Sequence, residues 1–61
     1  MEQIRKPLIV RAYELARSGR FASNDQIRSE LTNEGYAVAD IEDHFSEALF
    51  NRDLDGLRKF A

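Results

Sequence analysis

Residues 23–45, SNDQIRSELTNEGYAVADIEDHF, read as a helix, a glycine-centred turn and a second helix. Ser23 is an N-cap residue type whose hydroxyl accepts from a first-turn amide, and Gln26 three positions on completes the capping-box spacing. The spacing predicts a helix over 24–34 with Ile27 and Leu31 on one face. Gly35 stands where a residue of positive φ closes a helix by a left-handed cap, which places Tyr36 against Leu31. An amphipathic segment follows that directs Val38, Ile41, Phe45 and Leu49 inward, so the unit is two helices joined by a tight turn.

Upstream, residues 6–18 read as a first helix. Pro7 sits at its first turn, where a missing amide costs nothing. Leu8, Ile9, Ala12, Leu15 and Ala16 form its inward stripe, Tyr13 lies on the edge of that stripe, and Val10 lies off it. Gly19 supplies a second left-handed stop, and Phe21 plugs the gap between the first two helices. Downstream, the third helix begins between Val38 and Asp40, with Asp40 the best capping residue, and runs to Phe50. The five-residue step from Leu49 to Leu54 rotates the apolar stripe. It favours a break at 51–53 and a short last helix capped by Asp53, carrying Leu54, Leu57 and Phe60; one continuous helix over 40–60 is the alternative. Gly56 weakens any helix there by roughly 1 kcal/mol relative to alanine. No alternating strand pattern occurs, so the expected fold is all-α: a single three- or four-helix domain over 1–61 with a helix-turn-helix-like core.

Sixty-one residues place the chain near the size at which one core only just offsets chain entropy. The absence of cysteine removes disulfides and thiolate metal sites. No apolar run approaches a membrane span, and MEQIRKPLIV lacks the features of a signal peptide, so the cytoplasm is the expected compartment. The net charge of −2 hides an asymmetry: residues 1–28 carry six basic and three acidic side chains, residues 29–61 three basic and eight acidic. Either the two halves attract each other across a small bundle, or a charged face serves a partner.

The stretch SNDQIRSELTNEGYAVADIEDHF resembles the helix-turn-helix of small winged-helix or arginine-repressor-like regulators, with Ser before the first helix, Ile and Leu four apart, Gly in the turn and an apolar residue where Ile41 stands. The overlapping stretch RAYELARSGRFASNDQIRSELTNEGY resembles short uncharacterised bacterial proteins with an R-A-x-E-L-A-R-S-G opening, a likeness that implies a helical fold and no chemistry. The regulator likeness implies that the second helix of the motif enters the major groove with basic or amide side chains. Here that helix offers Asp40, Glu42, Asp43, His44 and Glu47, and the whole stretch 29–51 has no Lys or Arg. Carboxylates repel a phosphate array and release no counterions. Nucleic acid would have to be met through Arg11, Arg17, Arg20 and Arg28 of the first two helices.

Asp40, His44 and Glu47 share a helical face at i, i+4 and i+7. With a lone imidazole and no thiolate this is more simply a surface histidine beside a carboxylate than a metal site, and neither metal nor cofactor is expected. The four serines lack a nucleophile context, and the three glycines are isolated rather than a phosphate loop, so no enzymatic activity is expected. Two functions remain. One is a protein-interaction module whose acidic third helix (Asp40, Asp43, His44, Glu47), or an apolar edge formed by Val10, Tyr13 and Phe50, meets a protein partner or a second copy of the chain. The other is a nucleic-acid-associated regulator. The first fits the charge, the second the motif.

Overall fold

Pro7 has φ −55° and ψ 146°, so it stands just outside the first helix and lends its carbonyl to Arg11 N–H at 3.1 Å. In the computed structural model, which describes residues 6–60, four helices follow: α1 (Leu8–Arg17), α2 (Asn24–Asn33), α3 (Val38–Phe45) and α4 (Ala48–Lys59). Each touches the other three, and no strand occurs among the described residues. The fold is all-α. Of the stretch MEQIRKPLIV, residues 1–5, including Glu2, Ile4 and Arg5, lie outside the described residues.

The central unit forms as its local chemistry dictates. Ser23 Oγ accepts from Gln26 N–H at 3.3 Å, while Gln26 Oε1 accepts from Ala22 N–H at 2.7 Å, one residue earlier than the reciprocal box requires. At the other end Gly35 has φ 96°, its N–H donates to Thr32 O at 3.0 Å, and Tyr36 N–H donates to Leu31 O at 3.1 Å. These two bonds make a Schellman closure. Tyr36 packs on the core and its hydroxyl donates to Lys6 O at 2.7 Å, fixing the entry to α1. Gly19, at φ 77°, ends α1 as expected, and Phe21 packs against the core.

Leu15, Ile27, Leu31, Ile41 and Leu54 are the large, fully buried side chains, with Leu8, Ala12, Ala16 and Phe50 completing the core. Burial of each large apolar side chain stabilises the fold by about 1.5–3 kcal/mol.

The second half of the chain departs from the sequence reading at several points. α3 starts at Val38, so Asp40 is not its cap but a first-turn residue; Ala37 occupies the cap position with no side-chain bond. The helix ends at Phe45, and the break falls at Ser46–Glu47 rather than at 51–53. Asn51, Arg52 and Asp53 are inside α4, and Asp53 caps nothing. The cause is Asn51: its amide donates to Phe45 O at 2.7 Å, a carbonyl that the interrupted ladder leaves open, and to Glu47 O at 3.0 Å, which the Asn51 backbone N–H also reaches at 3.2 Å. With Glu47 extended at φ −89°, ψ 124°, α4 is rotated so that Phe50 rather than Leu49 enters the core. Phe50 is 6% exposed and Leu49 70%. Phe50 meets Phe45 edge-on at 5.1 Å, His44 at 5.6 Å and Tyr13 at 6.0 Å between ring centroids, a set of contacts Leu49 could not make. Phe50 is therefore unavailable as part of an exposed edge. Ile9 and Val38, both expected inward, are also exposed, as is Phe60 of the last helix.

Candidate docking groove between α1 and α4

The oppositely charged halves of the chain meet across the bundle surface. Arg11 grips Glu34 with two nitrogens, Nε at 2.8 Å and Nη2 at 2.6 Å, and reaches Glu14 at 3.1 Å. Hydrogen bonding from Arg11 holds the Glu34 carboxyl below its usual range, and the same bond raises the Arg11 guanidinium. Lys6 and Arg11 together lower Glu14 in the same way. Arg28 pairs with Glu42 across the turn at 2.6 Å and lies near Asp25 at 3.7 Å. Arg58 pairs with Asp55, and also donates to Asn24 Oδ1 at 3.0 Å and Ala22 O at 2.7 Å, tying the end of α4 to the start of α2.

Of the four arginines named for a nucleic-acid face, Arg11 and Arg28 are thus held by carboxylates of α1, α2 and α3. Arg17 and Arg20 have no ion pair among the described residues, and Arg20 lies over the Phe21 ring at 5.5 Å. The four do not form one uncommitted basic surface. On the acidic side, Asp40 and Asp43 are exposed on α3, His44 is half-buried against Phe50, and Glu47 is exposed beyond the helix end. Because α3 stops at Phe45, the helical register that would carry Glu47 onto the face of Asp40 and His44 is broken. No group of three or more metal-ligating side chains comes together among the described residues.

A groove of about 670 Å³ runs between α1 and α4. Val10, Tyr13 and Arg17, at i, i+3 and i+7, line one side; Arg52, Asp53, Gly56, Leu57 and Phe60 line the other. Phe60 is 88% exposed and Val10 45%. The Tyr13 hydroxyl faces Asp53 Oδ2 at 3.4 Å across the floor, and burial, then Asp53, push the phenol upward. The remaining pockets described are smaller and more polar, between α2 and α3 and beside Lys6 and Tyr36.

No family model, curated protein or solved structure matches the chain.

Sequence reasoning named Val10 and Tyr13 but missed Arg52, Gly56 and Phe60 as surface partners of theirs. The signal was present in the spacing Leu49, Arg52, Asp53, Gly56, Phe60, which is one face of a continuous helix (i, i+3, i+4, i+7, i+11). A break assumed at 51–53 concealed it. Among the described residues no helix is long and apolar enough to cross a membrane.

Proposed function

We propose that this chain is a small helical protein-interaction module, and that the α1–α4 groove seats an amphipathic segment of a partner protein. The observation that carries this reading is the apolar lining of the groove, exposed Val10 on one side and half-buried Leu57 with exposed Phe60 on the other, set beside arginines that no internal carboxylate engages. Phe60 exposes a large aromatic ring at the groove rim, a residue type enriched where proteins meet. A rim so exposed favours a macromolecular partner over an enclosed small ligand, whose site buries most of its surface. The acidic side chains Asp40, Asp43 and Glu47 lie outside this groove, so they are assigned no part in docking. The nucleic-acid reading is disfavoured on charge: two of its four arginines, Arg11 and Arg28, would have to abandon carboxylates to reach phosphates.

Site-specific photo-cross-linking in the native host tests the choice of face. A benzophenone side chain placed at Phe60 or Val10 is expected to give protein adducts that the same group at Asp40 or Asp43 does not. Adducts confined to the α3 positions, or lost on nuclease treatment, would replace the groove with the acidic face or with nucleic acid.

A further inference from the structure

Gly56 is costly where it stands. It lies inside α4, its φ is not positive, and a Cβ added there meets nothing within 4 Å, so neither backbone conformation nor internal packing requires glycine. A helix-interior glycine costs up to about 1 kcal/mol relative to alanine, and with no Cβ it admits the close approach of another backbone. Gly56 lies on the groove, between Arg52 and Phe60 on the same face of α4. It leaves α4 bare at the point where a second helix could cross with backbones nearest.

The charges indicate what that helix carries. Lys6, Arg11, Arg28 and Arg58 each have a carboxylate partner. Arg17, Arg20, Arg52 and Lys59 have none among the described residues, and of these Arg17 and Arg52 line the groove, whose one carboxylate, Asp53, faces the Tyr13 hydroxyl. An occupant bringing carboxylates to these two guanidinium groups gives them the pairing that Lys6, Arg11, Arg28 and Arg58 find internally, and a basic occupant would be repelled.

We infer that the α1–α4 groove binds an acidic amphipathic helix of another protein, which crosses α4 at Gly56, lays apolar side chains against Val10, Leu57 and Phe60, and sets carboxylates against Arg17 and Arg52. The proposal rests on the groove reading above and specifies its ligand. Helix-in-groove binding of this kind is read through anchors at i, i+3 or i+4, and i+7.

The test is a selection of displayed random 16-residue peptides on the immobilised full chain at about 150 mM salt, where screening leaves close ion pairs in force. Enriched peptides are expected to carry Asp or Glu among apolar residues at helical spacing. They should lose at least tenfold in affinity for Gly56→Leu, a change that fills the crossing point while improving helix propensity, so loss of binding with an unchanged or raised Tm separates occlusion from unfolding. They should lose at least tenfold for Arg17→Glu/Arg52→Glu, a pair of exposed positions whose reversal should turn selection toward Lys-rich peptides. Enriched peptides that are neutral or basic, yet still blocked by Gly56→Leu, would overturn the acidic ligand while keeping the groove. Peptides indifferent to Gly56→Leu, or no enrichment at all, would overturn the groove as well. Self-association of the full chain by sedimentation, abolished by Gly56→Leu, would make the occupant a second copy and overturn the inference.

Discussion

At Gly35 the backbone sits at φ 96°, and the bonds from Gly35 and Tyr36 to the end of α2 depend on it. A β-branched side chain resists that conformation, so Gly35→Val is expected to destabilise the domain by about 1 kcal/mol or more, measured by urea unfolding. Gly56 predicts the opposite sign. Nothing approaches within 4 Å of a Cβ placed there, so Gly56→Ala should gain up to about 1 kcal/mol from helix propensity, a rise of roughly 4–8 °C in Tm for a domain this small. A lowered midpoint would mean that the space beside Gly56 is occupied in the folded chain. The two residues thus separate a glycine needed by the fold from one the fold would be better without. Ser23 is the third local determinant: it holds Gln26 N–H at the start of α2, and removal of such a cap costs about 0.5–2 kcal/mol.

Between elements, the decisive event is the rotation of α4 relative to α3. A straight continuation of α3 would carry Leu49 inward with Phe45. The extended Glu47 and the Asn51 bonds to Phe45 and Glu47 turn Phe50 in instead, and Phe50, Leu54 and Leu57 then run i, i+4, i+7 along one stripe. Two truncations distinguish these arrangements. Phe50→Ala is expected to cost about 3–5 kcal/mol, as a buried aromatic does, whereas Leu49→Ala should stay within about 0.5 kcal/mol. Equal costs measured by chemical denaturation would restore the straight helix. The same rotation makes the groove, because it turns Leu49, Arg52, Gly56 and Phe60 to the surface together. Asn51 further binds α2, accepting from the Asn24 amide through its backbone oxygen at 3.3 Å and its side-chain oxygen at 3.2 Å. One amide side chain therefore closes α3 and anchors α4.

For the molecule as a whole, the charged halves act as an interhelical clasp, and acid should open it. Glu34 binds its proton less readily folded than unfolded, because Arg11 hydrogen-bonds the carboxylate. Its contribution is therefore fully present above the unfolded value of about 4.3 and is lost as pH falls through the lower folded value. Wild type should lose stability more steeply than Glu34→Gln below about pH 4.5, with a difference near neutrality that shrinks in acid; parallel curves of urea midpoint against pH would show that the clasp contributes nothing. The sequence by itself determined the all-α class, the start of α2 at Ser23, the stops at Gly19 and Gly35, and most of the α1 and α2 core. Each of those rests on a bond or a backbone angle within a few residues, or on the helical period. Only the tertiary structure decided where α3 ends, which of Leu49 and Phe50 is buried, and that Ile9, Val38 and Phe60 stay outside. A chain this short encloses too little volume for all its large apolar side chains, so they compete, and the winners are chosen by distant partners such as Tyr13, whose ring receives Phe50 and whose hydroxyl meets Asp53 forty residues away. The groove follows the same rule: neither of its walls is a site until two helices from opposite ends of the chain are packed side by side.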